Sequence, residues 1–302
     1  MKTSLDHLPA GKRRELARVV EILREGFAEA VSGRRAPRFR NGKLLKVILF
    51  GSYARGDWVE DPVGRYFSDF DILVVVDHED LADVGEFWLG TEDRLLKEMS
   101  SSTLRTPVSV IYHSLEDVNE KLRLGRYFFM DIVRDGIVLF EEPGHAFDAS
   151  NTLSPSEALK ETRTYYDEWF ESAGEFLETA SFTVTRGWSR KAAFLYHQAA
   201  EQYYHCFLLV RTLYSPKTHN LNQLRRLAEE MEPRLKTVWP NQTKFERRGY
   251  ELIRAAYVKA RYSRHYRITV EELTWLGERI AALRDIVREA SLARIAELEQ
   301  GA

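Results

Sequence analysis

Residues Val47 to Asp77 read VILFGSYARGDWVEDPVGRYFSDFDILVVVD, and the punctuation of this stretch decides the fold of the first half of the chain. Leu44 to Phe50 and Phe70 to Val76 are short apolar, β-branched runs and predict two strands. The first strand ends in Gly51-Ser52, a polar turn carries Arg55-Gly56, and the second opens with Ser68-Asp69-Phe70-Asp71. Glycine lets backbone N–H groups come close to an anion, so a turn between strand and helix can cradle phosphate. Ser52 adds a hydroxyl donor and Arg55 a planar positive fork for phosphate oxygens. Asp69 and Asp71 are two apart in an extended segment, so both side chains leave one face. Two such carboxylates can share hard divalent cations that also hold substrate phosphates.

Working outward, residues 5–31 predict a helix with Leu8, Leu16, Val19, Val20, Leu23 and Phe27 on one side. Asp80 to Met99 predicts a second helix, Val108 to Tyr112 a third strand, and Leu115 to Leu124 another helix. Residues 126–140 predict a short helix, a turn at Asp135-Gly136 and a final strand. The segment EEPGHAFDASNTLSPSE, 141–157, is rich in turn formers and reads as a linker. Beyond it the strand pattern stops, and helical patterns run over about 157–180, 189–213, 219–230, 243–262 and 271–298. The expected class is α+β: a short mixed sheet with helices over 1–140, then an all-α bundle over 158–302.

The ordered pair GSYARG and SDFD resembles the Gly-Ser…Asp-x-Asp signature of polymerase-β-like nucleotidyltransferases, in particular the minimal (MNT), kanamycin-nucleotidyltransferase-like group. The resemblance covers roughly residues 44–140. It implies that Gly51 and Ser52, helped by Arg55 and Ser68, hold the phosphates of an NTP, ATP first among them. It implies equally that Asp69 and Asp71 are catalytic and hold Mg2+ or Mn2+. The segment between Arg55 and Ser68 is longer than the family's usual turn and suggests an extended hairpin over the site. The family also places a third carboxylate on a later strand, and the matching position in PVSVIY (107–112) is Ser109. A serine hydroxyl neither neutralises a cation nor serves as a base at neutral pH. Asp77, Glu116 and Asp131 are the acidic residues available as substitutes.

In the second half, YHQAAEQYYHCFLL (196–209) followed by THNLNQL (218–224) resembles the second helix and following loop of HEPN domains. The whole chain thus resembles a single-chain MNT–HEPN fusion. That implies a toxin–antitoxin-like setting, a nucleotide partner, an RNA or protein acceptor presented by the HEPN half, and room for a homo-oligomer. HEPN ribonucleases pair an Arg and a His with four to six residues between them; Arg261 and His265 have only three. His265-Tyr266 is similar to the His-x-Tyr of HEPN toxins whose tyrosine receives AMP, which makes Tyr266 a candidate self-modification target.

Composition bounds these readings. At about 150 residues per domain, 302 residues predict two domains. The 44% hydrophobic and 30% charged content excludes a disordered or fibrous chain. No apolar run nears the ~18 residues of a membrane span, charges occupy the stretch where a signal peptide is apolar, and Cys206 is the single cysteine. The expectation is a cytoplasmic protein with no membrane partner and no internal disulfide. Residues 1–154 carry 21 Lys and Arg against 26 Asp and Glu, while Arg234 to Arg267 holds ten basic residues against two acidic ones. Within that segment Tyr250, Arg254, Tyr257, Arg261 and His265 fall at helical steps on one side. They can stack a base and hold phosphate, or serve as a solvated, ion-paired face. His197, Glu201 and His205 at i, i+4, i+8 suit a core edge better than a metal site. Three functions stay open on these residues: nucleotidyl transfer to a protein, RNA or small-molecule hydroxyl; nucleotide or RNA binding without turnover; and a HEPN ribonuclease regulated in cis.

Overall fold

Leu16, Val19, Leu23 and Phe27 are buried on α1 (Ala10–Val31), which starts after Pro9 and not at residue 5. Ahead of it, Asp6 N–H donates to Ser4 Oγ at 3.1 Å, a local turn that competes with helix. The computed structural model describes residues 1–61 and 66–301, in two units, Met1–Thr152 and Leu153–Ala302. After α2 (Pro37–Arg40) comes β1 (Leu44–Phe50), then α3 (Gly51–Arg55) and two short strands, β2 (Glu60–Asp61) and β3 (Tyr66–Phe67). These two pair antiparallel, Glu60 opposite Phe67 and Asp61 opposite Tyr66. The rest of the anticipated hairpin, residues 62–65, lies outside the described residues.

β4 (Phe70–Val76) follows. The helix read over Asp80 to Met99 is instead a 3-10 turn (Glu79–Ala82), a π turn (Val84–Trp88) and α4 (Leu89–Ser100). Local side chains break it: Asp83 accepts from Glu86 N–H, and Trp88 Nε1 donates to the Leu81 carbonyl at 2.7 Å. β5 (Val108–Ser114), α5 (Leu115–Arg123), α6 (Tyr127–Asp135) and β6 (Ile137–Glu141) complete the unit.

The four-stranded sheet has the order β5-β4-β1-β6, with β4–β5 parallel and β1–β4 and β1–β6 antiparallel. Both central strands are buried along their whole length, which is why they read as apolar runs interrupted only by Lys46 and Asp71. One face takes α1, whose Val19, Ile22 and Leu23 are wholly buried, each contributing about 1.5–3 kcal/mol.

The second unit is helical: α7 (Pro155–Thr185), α8 (Ser189–Thr212), α9 (Leu221–Met231), α10 (Lys244–Tyr262) and α11 (Val270–Gly301). The Ser-Pro-Ser-Glu at the end of the linker reading is a helix start, with Ser154 and Glu157 forming a capping box and Pro155 in the first turn. α8 is buried on nearly every side because α7, α9, α10 and α11 all pack against it. α10 and α11 approach closely where Gly249 meets Trp275; a Cβ there would lie 2.5 Å from the indole ring. Among the described residues no helix is long and apolar enough to cross a membrane.

Candidate active site

The register of three strands assembles the site in the N-terminal unit. Phe50, the last residue of β1, pairs with Asp71 on β4, and Asp71 pairs with Ser109 on β5. Phe50, Asp71 and Ser109 therefore stand abreast at one end of the sheet. Asp71 is fully buried, whereas Asp69, just ahead of β4, is half-buried. Ser109 thus lies beside the aspartate, as its place in the sequence requires.

Gly51 turns the chain out of β1 against Asp71. Its φ is +69°, in the left-handed region, and a Cβ added to it would lie 2.5 Å from Asp71 Oδ2. Only glycine satisfies both conditions. Ser52 is buried, and its Oγ has no hydrogen-bond partner among the described residues. Such a hydroxyl is costly unless something bonds to it. Tyr53 fixes α3 in place, stacked on Trp58 at 5.3 Å and edge-on to Phe70 at 4.6 Å. Arg55 is partly exposed at the end of α3, 3.2 Å from Asp57 and within electrostatic reach of Asp131.

Ser68 also has a structural task. Its buried hydroxyl accepts from Val59 N–H at 2.9 Å, and its own N–H donates to the Val59 carbonyl. It closes the base of the hairpin. Lys12, which the sequence does not single out, ties this region to α1 by pairing with Glu60 and donating to Thr106 Oγ1 at 2.6 Å. Glu15 accepts from Thr106 N–H at 2.9 Å. Contacts of this kind join residues far apart in sequence and leave no local signal.

The three candidate substitute carboxylates separate cleanly. Asp77 is at the opposite end of β4, where it accepts from Lys43 N–H at 2.9 Å. Glu116 follows the far end of β5, is exposed, and pairs with Arg123. Asp131 belongs to α6, which reaches the site end of the sheet through Phe128, 5.5 Å from Phe50. Burial raises the Asp131 carboxyl above the ordinary carboxylate range, against the opposing pull of Arg134.

In the helical unit the sequence-based groupings are rearranged. α10 ends at Tyr262, so Arg261 and His265 do not share a helix face, and the alignment from Tyr250 stops at Arg261. Tyr250 is held against the core, with its hydroxyl 2.9 Å from Asn222 Oδ1 and its ring under Arg225. Arg254 pairs with Glu251. Tyr257 stacks on His219 at 4.1 Å, with 18° between the rings. Tyr266 is buried and its hydroxyl donates to the Leu252 carbonyl at 2.9 Å, which closes it to modification in this fold.

His197, Glu201 and His205 belong to a buried polar network on α8. His197 Nε2 is 3.2 Å and His219 Nδ1 3.0 Å from the Glu201 carboxylate, and His197 Nδ1 is 2.9 Å from the Ile253 carbonyl. Burial penalises the Glu201 charge, but the two histidines outweigh it and hold the carboxyl below its usual range. His205 turns to Ser215 Oγ at 2.6 Å, and burial lowers its pKa. Among the described residues no three His, Cys, Asp or Glu side chains are grouped to hold a metal ion.

A strand, a glycine turn against a buried aspartate, and a helical bundle to follow define a nucleotidyltransferase fold joined to an α-helical domain. Comparison with known proteins gives the particulars: residues 34–124 match the nucleotidyltransferase domain family, and residues 166–290 match the HEPN domain family. The chain carries both domains in that order. It is also similar to a Methanocaldococcus jannaschii protein named as a candidate protein adenylyltransferase, with 56% identity over 36 residues. That match spans 12% of this chain and 30% of the archaeal protein.

Proposed function

We propose that the chain transfers AMP from ATP to a protein hydroxyl at the Asp69–Asp71 end of the sheet. The observation that carries this reading is the pairing of Gly51 with Asp71, a backbone turn pressed against a buried carboxylate with no room for a side chain. The Ser52 hydroxyl beside it, unpartnered among the described residues, suits a phosphate oxygen. A divalent cation fits this donor set, because Mg2+ is commonly held by one or two carboxylates with substrate phosphates completing its shell. Asp69 and Asp71 are the residues that would hold it, and the cation, when bound, supplies neutralising charge to the triphosphate. Gly51 and Ser52 orient the phosphates, and Arg55 adds positive charge at the rim. The acceptor oxygen forms its bond to the α-phosphorus as the bond to the bridging oxygen breaks. Pyrophosphate leaves, and the acceptor proton passes to solvent. Positioning and charge account for most of the rate in such a step. The name of the archaeal relative supports a protein acceptor, with the HEPN domain binding or presenting it.

Ser109 favours a second reading, nucleotide binding without turnover, because the residue abreast of Asp71 on β5 has no charge. One experiment separates the two. The protein is incubated with Mg2+ and each α-labelled NTP, beside Asp69→Asn/Asp71→Asn and Ser109→Asp variants. Label on protein and released pyrophosphate, both lost in the double variant, support transfer. ATP binding that needs the aspartates, with label appearing only in Ser109→Asp, moves the assignment to the second reading.

A further inference from the structure

The turn after β1 runs into a helix that cannot hold itself. Any helix leaves its first four N–H groups and last four carbonyls without partners inside it, and α3 has five residues, so it is nearly all ends. Among the described residues no side chain caps its start. Its Ser52 carbonyl takes Gly56 N–H at 2.9 Å and Asp57 N–H at 3.1 Å. The next carbonyl, of Tyr53, belongs to a fully buried residue and needs a partner of its own. It finds one 46 residues away in sequence, His7 Nε2, at 2.8 Å. A carbonyl can only accept, so it is Nε2 of this imidazole that carries the proton.

His7 is itself held from both sides of the arm that precedes α1. On one side Lys2 N–H donates to the Gly136 carbonyl and Val138 N–H to the Lys2 carbonyl, both at 2.9 Å, so the arm runs beside β6 with Lys2 opposite Ile137. On the other, Leu8 is buried in the same core as Leu16 and Val19 of α1. Between these anchors the imidazole lies against the Gly56 backbone, where a Cβ would be 3.6 Å from His7 Cδ2, and edge-on to Trp58 at 6.3 Å. Tyr53 is thereby gripped twice, by Trp58 and Phe70 at its ring and by His7 at its carbonyl.

We infer that His7 is a positioning residue of the phosphate site: its bond to the Tyr53 carbonyl sets the angle of α3, and so the places of the Ser52 hydroxyl and the Gly51 backbone. The inference rests on the nucleotide reading of the Gly51–Asp71 turn given above. Ser52 is one residue from the bonded carbonyl, and a five-residue helix has too few bonds of its own to keep a fixed angle. The ring contacts of Tyr53 fix where α3 lies, whereas a directional bond to its carbonyl fixes how it is turned. A cradle already turned to meet phosphate loses little binding energy to ordering. It holds the nucleotide before and during reaction alike, so His7 acts on affinity and not on the maximal rate.

The test titrates the full chain with mant-labelled ATP and Mg2+, a readout that needs no turnover, and follows hydrogen–deuterium exchange of residues 50–57 without nucleotide. Gln carries an amide N–H as many bonds from the backbone as Nε2, Asn carries one a bond short, and Ala removes the donor. His7 is an exposed residue, so all three variants leave the core intact. His7→Ala should weaken ATP binding about fivefold and speed exchange in 50–57 by a similar factor. His7→Asn should fall with it, while His7→Gln should stay within about twofold of the parent, as should Asp6→Ala beside it in the arm. Where label transfer is measured, His7→Ala should raise KM for ATP about fivefold and leave kcat within about twofold. The inference is overturned if His7→Ala binds ATP as the parent does, since faster exchange alone would mark a merely structural bond. It is overturned equally if His7→Gln loses as much affinity as His7→Ala. A parent that binds no ATP removes the nucleotide reading itself, and the inference with it.

Discussion

Spacing alone sets Asp69 beside Asp71 and Arg261 beside His265, and the two pairs meet different fates. Asp71 is inside β4 with Asp69 one residue before it, and the ladder carries that position across to Phe50 and Ser109. Arg261 is in the last turn of α10, and His265 lies three residues past its end. A strand position is fixed by its neighbours on both sides, so a local motif at a strand end inherits long-range order. A helical spacing has meaning only while the helix lasts, and helix ends are where sequence reading is weakest. The lesson extends to His197, Glu201 and His205. Their helical spacing holds, yet two of the three turn to partners, His219 and Ser215, from a loop.

The largest effect should come from breaking the strand-end side of this contrast. Gly51→Ala places a methyl group against Asp71 Oδ2 in a left-handed backbone conformation. We expect label transfer to fall about 100-fold or more, with about 1–2 kcal/mol of lost stability. Transfer within a few-fold of the parent would remove Gly51 from the site.

On the helical side, Glu201→Ala strands His197 Nε2 and His219 Nδ1 without their carboxylate. Urea unfolding should report about 3 kcal/mol lost from the helical unit. Added Zn2+ should leave the parent's melting temperature where it was; a marked rise would revive the metal reading of these residues.

The smallest effect concerns an ion pair at the far end of the sheet. The Asp117 carboxyl is lowered to about 2, first by its hydrogen bond with His113 at 2.5 Å and then by Lys121. A carboxyl lowered in the folded state stabilises above its unfolded value of about 3.8 and loses that contribution as pH falls through about 2. Asp117→Asn should therefore cost about 1–2 kcal/mol at pH 7, and its difference from the parent should shrink from about pH 4 downward. A gap that stays constant with pH would show that the charge is not what matters.

Much of the geometry of the N-terminal candidate site is legible because its signals are local. Glycine at a strand end, an aspartate pair at a strand start and apolar runs on either side are all readable within thirty-one residues, Val47 to Asp77. The structural bond of the Ser68 hydroxyl has no local signal because its partner, Val59, sits across a hairpin that only folding closes. Lys12 was invisible for the same reason, since Glu60 and Thr106 are brought to it by tertiary packing. The Ser-Pro-Ser-Glu at 154–157 could have been read as a helix start, since the capping box is itself a local pattern. In the helical unit, net charge counted along the sequence missed that arginines of the basic segment are neutralised by glutamates outside it, Arg248 by Glu272 and Arg234 by Glu289.

The place of β6 in the sheet bears on how the chain can be made. A ribosome releases β1 early, and β4 soon after covers one of its edges. The other edge has no partner until β6 emerges and pairs Ile137 with Leu49 and Glu141 with Lys46. Over that interval β1, a strand whose residues are all buried in the finished fold, offers open backbone to any neighbouring nascent chain. Synthesis that stalls before Ile137 should therefore yield a product that aggregates, and release past Glu141 one that stays in solution. The last short strand of the unit acts as its seal during manufacture.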